Sequence, residues 1–199
     1  MADQLATPAD LAALLHIDEA DLHVPAATLL IECATAVVQE VAGQRIVRAE
    51  STVTLEPSLG CWLWLPQLPV VSVESVTLDG TALVAGADYS VRGYRLWRSA
   101  GWQTAASWET AGVRAPSEIT VEYTHGYEAD AQELQRARQA VVALAGAVYG
   151  NPTGVTREQV DDYAVVYEAM AARMEAAPYL RDGLLRYYGR SAGLITLGG

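Results

Sequence analysis

The chain has 199 residues, of which 51% are apolar and 19% are charged, a composition typical of a folded globular protein and not of a disordered or fibrous one. Its 13 basic residues are all arginine, and the net charge is −11. An acidic balance of this size excludes a protein that adheres to nucleic acid through the phosphate backbone.

The sequence has no uninterrupted apolar run of the roughly 20 residues that a membrane span requires. Its N-terminus is acidic where a signal peptide would be basic, so we expect a cytosolic protein. Cys33 and Cys61 show neither metal-type nor redox-type spacing, and a cytosolic location argues against a disulfide. Both are predicted to be small buried apolar residues.

Two helices are predicted in residues 1–44. Thr7, followed by Asp10 three positions later, has the pattern of a capping box and predicts a first helix that ends near Leu15. Apolar residues at helical spacing predict a second helix over 25–42, and the glycine that follows is placed to end it.

Residues 45–127 have an apolar period of two and many β-branched and aromatic residues, which predicts an antiparallel β insertion. Asp79-Gly80 is a strong signal for a two-residue hairpin, and Arg92-Gly93 is a weaker one. A change of apolar phase predicts a bulge near Glu74-Ser75. The long stretch 99–117 is predicted to be a loop that provides a contact surface.

Residues 128–177 are predicted to add two more helices to the same bundle. A face of leucine and valine indicates one helix that ends at Gly150, and Thr156 begins a second, which Pro178 ends. The last segment, 178–199, is too apolar for an idle tail and too short to fold alone. The predicted fold is α+β: a helical bundle with an inserted antiparallel β subdomain and an extended C-terminal docking segment.

No motif for catalysis, nucleotide binding or metal binding occurs in the sequence, and the three histidines are not spaced as ligands. Acidic residues gather near predicted helix starts, where a carboxylate interacts favourably with the helix dipole. We expect no catalytic residue, metal ion or cofactor. A hydrolase with a carboxylate site at Asp161 or Asp162 is one possible function, and no motif in the sequence supports it.

Five short motifs occur in a distinctive order: LATPADL at 5–11, LPVVSV at 68–73, VTLDGTAL at 76–83, Asp88-Tyr89, and ITVEYTHGY at 119–127. With the order of the helices and the β insertion, they resemble the head–tail adaptor (head-completion) proteins of long-tailed bacteriophages. The sequence is similar to the longer form of these proteins from actinobacterial phages. The motifs are structural, so the resemblance implies a virion structural protein and not an enzyme.

The resemblance further implies a siphovirus subunit in a homo-oligomeric ring, commonly of twelve copies, beneath the portal. Such a ring joins capsid to tail at the head–tail interface of the virion after assembly in the host cytoplasm. Its partners are the portal protein and a stopper or tail-terminator connector protein. DNA leaves through its channel without sequence-specific binding, and no membrane is involved.

Within such a ring we assign three sets of contact residues. Portal docking is assigned to the apolar C-terminal segment: Tyr179, Leu180, Leu184, Leu185, Tyr187, Tyr188, Leu194 and Ile195. The neighbour or tail-side contact is assigned to Asp79, Gly80, Trp102 and Trp108. The channel-facing acidic residues are Glu128, Asp130, Asp161 and Asp162.

The tryptophans support an alternative reading, because an exposed aromatic face on a sheet can stack on a sugar ring. Trp62 and Trp64 lie in an apolar strand and are expected in the interior or at an interface. For Trp102 and Trp108, which lie among small polar residues, contact and core are equally favoured. The alternative is a tail- or baseplate-associated binding module that recognises carbohydrate or protein through exposed tryptophans.

Overall fold

The computed structural model describes residues 4–57, 60–103, 117–150 and 163–189. The chain divides into two compact units, one drawn from Met1–Val47 and Glu128–Gly199 and the other formed by Arg48–Tyr127. We call them the helical unit and the β unit. The described residues form five α-helices and antiparallel sheets, which confirms the α+β class.

The helical unit is built around its second helix. The other four described helices all pack against or next to that helix. The helices are α1 (Pro8–Leu15), α2 (Val24–Ala42), α3 (Gln135–Gly150), α4 (Tyr163–Glu175) and α5 (Pro178–Tyr188), with short 3-10 turns at Glu19–Asp21 and Gln132–Leu134. The predicted start of the fourth helix at Thr156 lies outside the described residues.

The ends of α1 and α2 follow the predicted chemistry. Thr7 Oγ1 accepts the Asp10 backbone N–H, and the Asp10 carboxylate accepts the Thr7 N–H at 2.8 Å, so the capping box is complete. Gly43 ends α2 in the left-handed region, with φ of 68°. Residues 45–47 were predicted to open the β insertion, but they belong to the helical unit, where Ile46 is buried.

Helix α2 has the length and apolar composition of a membrane span, although polar residues interrupt its apolar run. In the structure one side of this helix is buried in the helical unit. Those buried are Ala27, Leu30, Ile31, Cys33, Ala34, Thr35, Val37, Val38 and Ala42. The same composition is that of a core helix, and here it forms the centre of the helical unit.

Residues 178–188 are helical and not extended, which corrects the prediction for this part of the C-terminal segment. Pro178 stands in the first turn of α5, where a missing N–H costs no hydrogen bond. Leu184 and Tyr188, four residues apart, are both buried. Gln44 Nε2 donates to the Tyr188 carbonyl at 2.7 Å, and the Tyr188 hydroxyl donates to the Glu133 carbonyl. The C-terminal end of α5 is therefore tied to the rest of the helical unit.

The β unit contains two antiparallel sheets among its described residues. The first has the order β1-β7-β3-β4 and the second the order β2-β6-β5. The strands are β1 (Ala49–Leu55), β2 (Trp62–Trp64), β3 (Val70–Leu78), β4 (Thr81–Ala82), β5 (Ser90–Arg92), β6 (Arg95–Trp97) and β7 (Ile119–His125).

The turns and irregularities of the β unit lie close to their predicted positions. Asp79 and Gly80 both have positive φ, as a two-residue hairpin turn requires. Strand β3 shifts register against β7 between Val73 and Ser75, at the predicted bulge. The second hairpin turns at Gly93-Tyr94, one residue later than predicted, because Arg92 already pairs with Arg95.

The first and last residues of the β unit lie together. The Arg48 backbone N–H donates to the Tyr127 carbonyl at 2.8 Å, and the paired strands β1 and β7 continue inward from there, beginning with Ala49 opposite His125. Between these ends, one apolar core takes side chains from both sheets: Leu63, Leu65, Val76, Leu78, Tyr89, Leu96, Trp102, Ile119, Val121 and Tyr123. The β unit has a core of its own.

Candidate interaction surfaces

The outer face of the three-stranded sheet carries large exposed aromatic side chains. Successive residues of a strand point to opposite faces, and here Leu63 and Leu96 point inward and are buried. Their neighbours point outward, so Trp62, Trp64 and Trp97 remain 38%, 51% and 39% exposed. The register places Trp62 opposite Trp97 on this face.

Arg95 is opposite Trp64 on the same face and stacks among the aromatic rings. Its guanidinium carbon lies 4.7 Å from the ring centroid of Trp62, 4.6 Å from that of Trp64 and 5.2 Å from that of Tyr94. These are cation–π distances. We call Trp62, Trp64, Tyr94, Arg95 and Trp97 the aromatic–arginine face. Tryptophan, tyrosine and arginine are the residues enriched where protein interfaces gain most of their binding energy.

Trp102, predicted as a neighbour or tail-side contact, is instead a core residue of the β unit. It is 1% exposed, and its indole Nε1 donates to the Cys61 carbonyl at 3.0 Å. A buried indole with a satisfied N–H is stabilising where it is and is not available to a partner. The prediction of contact is therefore wrong for Trp102, and Trp108 lies outside the described residues.

The Asp79-Gly80 turn, the other part of that predicted contact, is exposed. The Asp79 carboxylate is already used within the chain, because its Oδ1 accepts the Glu118 backbone N–H at 2.8 Å. The Asp79 N–H in turn donates to the Glu118 carbonyl at 2.8 Å. This turn closes a hairpin and fixes the residue that precedes β7, and a contact role for it stays a prediction.

The predicted portal-docking residues on α5 divide into two groups. Tyr179, Leu185 and Tyr187 are exposed, Tyr179 at 94%. Leu184 and Tyr188 are buried in the helical unit, so the assignment of these two to a partner surface is corrected to a core role. The sequence shows that this segment is apolar, but it does not show which side of the segment the bundle covers. Leu180 is half-buried, and Leu194 and Ile195 lie outside the described residues.

A groove of about 260 Å³ runs beside the exposed part of α5. Arg181 and Glu175 both line it, with Arg181 Nε 3.4 Å from Glu175 Oε1. The residues that line it come from α2, α4 and α5: Val37, Glu40, Val41, Ala171, Met174, Glu175, Arg181 and Leu185.

Carboxylates are exposed at two connections of the helical unit. Glu128 and Asp130, two of the predicted channel-facing residues, lie in the connection that leads to α3. The other two, Asp161 and Asp162, lie outside the described residues. The connection from α1 to α2, which we call the acidic–apolar corner (residues 14–24), exposes both carboxylates and apolar side chains: Leu14, Ile17, Asp18, Glu19, Asp21 and Val24.

The chemistry of the buried polar groups is structural. His125 is buried, and its Nε2 lies 2.9 Å from Ser51 Oγ, a hydroxyl–imidazole pair inside the sheet between β1 and β7. Burial raises the pKa of the Cys33 thiol to about 11, which keeps it protonated and unreactive. Cys61 is only half-buried, contrary to its prediction. Within the residues that the structure describes, no three or more His, Cys, Asp or Glu side chains are grouped to hold a metal ion.

Comparison with known proteins gives the fold alone. No family model and no curated protein matches the sequence. Among solved structures, a chain of a virion of a native gene transfer agent (GTA) particle has a TM-score of 0.54 at 18% identity, over 80% of this chain and 85% of that one. A chain of the neck of an empty GTA particle, computed with C6 symmetry, has a TM-score of 0.51 at 19% identity, over 66% and 70%. A third, from the neck of a native GTA particle computed with C12 symmetry, has a TM-score of 0.48 at 16% identity, over 81% and 86%.

Proposed function

We propose that the chain is a structural head–tail connector subunit in the neck of a phage-like particle. The observation that carries this proposal is the fold it shares with a GTA virion chain over four-fifths of its length. The sequence motifs that resemble phage head–tail adaptors lie in both units, so two independent lines of reasoning support the same class. A siphovirus of the actinobacterial type remains the specific form that we propose.

The proposed assembly is a ring. The neck of the empty GTA particle was computed with C6 symmetry, and a ring of twelve copies contains that symmetry. A ring closes when each copy offers two different surfaces to its two neighbours and the rotation between copies divides a full turn. We propose twelve copies seated beneath the portal, with a stopper or tail-terminator connector protein on the far side.

The proposed portal contact uses the exposed side of α5 and the chain that follows it. Tyr179, Leu185 and Tyr187 present a tyrosine-rich apolar surface, and the Arg136 guanidinium stacks 4.8 Å from the centroid of the Tyr187 ring. Aromatic residues with a nearby arginine favour protein binding. Leu194 and Ile195 would extend this surface.

The proposed channel wall is acidic. With a net charge of −11 per copy, a ring of such subunits repels the phosphate backbone and leaves packaged DNA free to slide. Glu128 and Asp130 are exposed, as a channel-lining role requires, and we assign Asp161 and Asp162 to the same wall. The proposed role is mechanical, without catalysis and without a cofactor.

Electron microscopy of portal rings from the same genome tests the proposal. Full-length protein is mixed with portals and compared with a chain truncated after Gly189, which retains α5. A truncation after Ala177 would remove the buried Leu184 and Tyr188 and would unfold the helical unit, so it is unsuitable.

The expected result is an added collar on the portals with full-length protein and a weaker or absent collar with the truncated chain. Tyr187→Ser is expected to weaken the collar, and Thr52→Ser, an exposed substitution on β1, is the control. A protein that neither forms rings nor decorates portals would contradict the connector proposal.

The exposed tryptophans are the basis of a second candidate function, a tail- or baseplate-associated module that binds carbohydrate. Three exposed tryptophans on one sheet face can stack on sugar rings. Titration with oligosaccharides, read by tryptophan fluorescence, tests it. Quenching by a sugar that is lost in Trp64→Ala would support this function. An unchanged spectrum with every class of sugar would reject it, and the connector proposal would remain.

A further inference from the structure

We infer that the aromatic–arginine face of one copy binds the acidic–apolar corner of a second copy of this chain. This inference rests on the proposed ring, for which it names the contact between neighbours. It differs from the contact predicted from sequence, because Trp102 is buried and the exposed tryptophans are those of β2 and β6.

The first argument is the way in which Arg95 is held. Its guanidinium carbon lies over the rings of Trp62, Trp64 and Tyr94, at cation–π distance from each. A guanidinium that stacks on aromatic rings keeps its in-plane N–H groups available at its edge. These groups can bind a carboxylate in bidentate geometry. Within the described residues, Arg95 forms no ion pair and its buried Nε has no hydrogen-bond partner.

The same stacking disfavours a sugar as the occupant. A pyranose ring requires an uncovered aromatic face, but the guanidinium lies over rings of Trp62 and Trp64. Arg92, which pairs with Arg95 in the register and is exposed, adds a second positive charge to this side of the sheet. The surface therefore favours a ligand that brings both carboxylates and apolar groups.

The second argument is that this chain carries such a ligand itself. The acidic–apolar corner exposes Asp18, Glu19 and Asp21 beside Leu14, Ile17 and Val24. None of the three carboxylates has an ion pair within the described part of the chain. Apolar side chains on the corner match the aromatic rings, and its carboxylates match the two arginines.

The third argument is charge complementarity in a strongly acidic chain. Copies with a net charge of −11 repel one another at long range, so a stable contact needs a local surface of opposite sign. The aromatic–arginine face, with Arg92 beside it, supplies that surface. Because the two binding surfaces are different, the contact is head-to-tail and propagates from copy to copy, as a ring requires.

Sedimentation velocity on the full-length chain at increasing concentration tests the contact. The wild type is expected to self-associate, and Arg95→Glu or the joint substitution of Asp18, Glu19 and Asp21 by alanine is expected to weaken association at least about tenfold. Arg186→Glu, which makes the same charge change at an exposed position of α5, is the matched control and is expected to associate like the wild type.

A mixture of the two defective variants gives the decisive measurement. The Arg95→Glu chain keeps an intact corner, and the corner variant keeps an intact face, so an equimolar mixture is expected to form dimers that do not grow further. Circular dichroism of each variant checks folding, and Arg92→Glu provides a second test of the face if Arg95→Glu misfolds.

Two results would overturn the inference: a wild type that stays monomeric at all concentrations, or defective variants that associate as the wild type does. These results are separable from failure of the connector proposal. If full-length protein adds a collar to portals and the Arg95→Glu collar is unchanged, the inference fails and the connector stands. If portals stay bare while the mixed variants form dimers, the contact stands and the connector proposal fails.

Discussion

In the helical unit, the central helix α2 buries Leu30, Ile31, Val37 and Val38, whereas in the β unit three of the four described tryptophans are exposed. Both units have an apolar core, so the exposure of these tryptophans does not result from the lack of a core in the β unit. A side chain as large as tryptophan is costly to leave in water. Three of them lie exposed on one sheet face, two of them beside Arg95, and the contact that we infer between copies rests on this exposure.

The sharpest test of this comparison lies within the β unit, at Trp102 and Trp64. Trp102→Ala removes a buried indole and leaves the Cys61 carbonyl without its partner, so we expect a loss of about 3–5 kcal/mol in the free energy of unfolding. Trp64→Ala removes an exposed ring, and we expect a loss of under about 1 kcal/mol. Urea denaturation measures both, and equal losses would mean that the exposed tryptophans are part of the core.

In the helical unit the corresponding pair is Ile31 and Tyr179. Ile31→Ala creates a cavity at the centre of the unit and is expected to cost about 2–5 kcal/mol. Tyr179→Ala, at a side chain that is 94% exposed, is expected to change stability by no more than about 0.5 kcal/mol. Thermal unfolding followed by circular dichroism checks the pair. A large effect at Tyr179 would show that α5 packs differently from the structure.

The two cysteines, one in each unit, are expected to differ in their reactivity toward a thiol reagent. Burial raises the pKa of Cys33 from 9.0 to about 11, which lowers its thiolate fraction at neutral pH about a hundredfold, and the side chain is inaccessible as well. Cys61 is half-buried in the β unit. With a thiol reagent at pH 8 we expect one fast thiol in the folded protein, absent in Cys61→Ser, and two in denaturant. Fast reaction of Cys33 would contradict a closed helical core.

One glycine-to-alanine substitution in each unit is expected to change the free energy of unfolding, with opposite signs in the two units. Gly80 has φ of +77° and open space around it, so alanine there brings backbone strain alone and is expected to cost about 1 kcal/mol. Gly183 lies in α5, also with open space, and alanine there is expected to stabilise by about 0.5–1 kcal/mol. Paired denaturation curves measure both. The same sign at both positions would contradict the backbone assignments.

The smallest expected effect is at Glu74, at the bulge of β3. Hydrogen bonds from Ser72 and from Thr124, the latter at 2.9 Å, lower its pKa in the folded protein. This contribution to stability is present above the ordinary pKa of 4.5 and is lost as the pH falls through the lower, folded pKa. Glu74→Gln is expected to flatten slightly the acid side of the stability profile. Glu50→Gln, at an exposed position on β1, is the control. An equal change in this variant would mean that the effect does not come from the hydrogen bonds of Glu74.

Much of the fold could be predicted because its signals are local. The capping box at Thr7, the glycine after α2, the Asp79-Gly80 turn and the bulge before Ser75 all depend on a few neighbouring residues. The prediction of an extended docking segment was wrong for residues 178–188. An apolar segment near the C-terminus has the same composition whether it packs on its own chain or on another. Only the tertiary structure shows that Leu184 and Tyr188 face inward.

The candidate surface was harder to predict than the fold. Trp62 and Trp64 lie in an apolar strand, and nothing in that strand shows that its outer side is uncovered. Trp102 lies among small polar residues and is nevertheless buried, because its partner Cys61 is far away in sequence. The position of Arg95 between two tryptophans depends on the pairing of β2 with β6. Contacts between distant segments are not encoded in local pattern.

The hydrogen bond between Arg48 and Tyr127, at the base of the β unit, has a consequence for how the chain can vary. A flexible insertion of about 80 residues would add roughly 4 kcal/mol of loop-closure entropy to the folding of its host. Here the pairing of β1 with β7 closes that loop from within, so the helices experience a short connection whatever length of chain lies beyond it. The two units can therefore change at different rates in evolution, with the insertion lengthened, shortened or replaced while the host bundle keeps its stability.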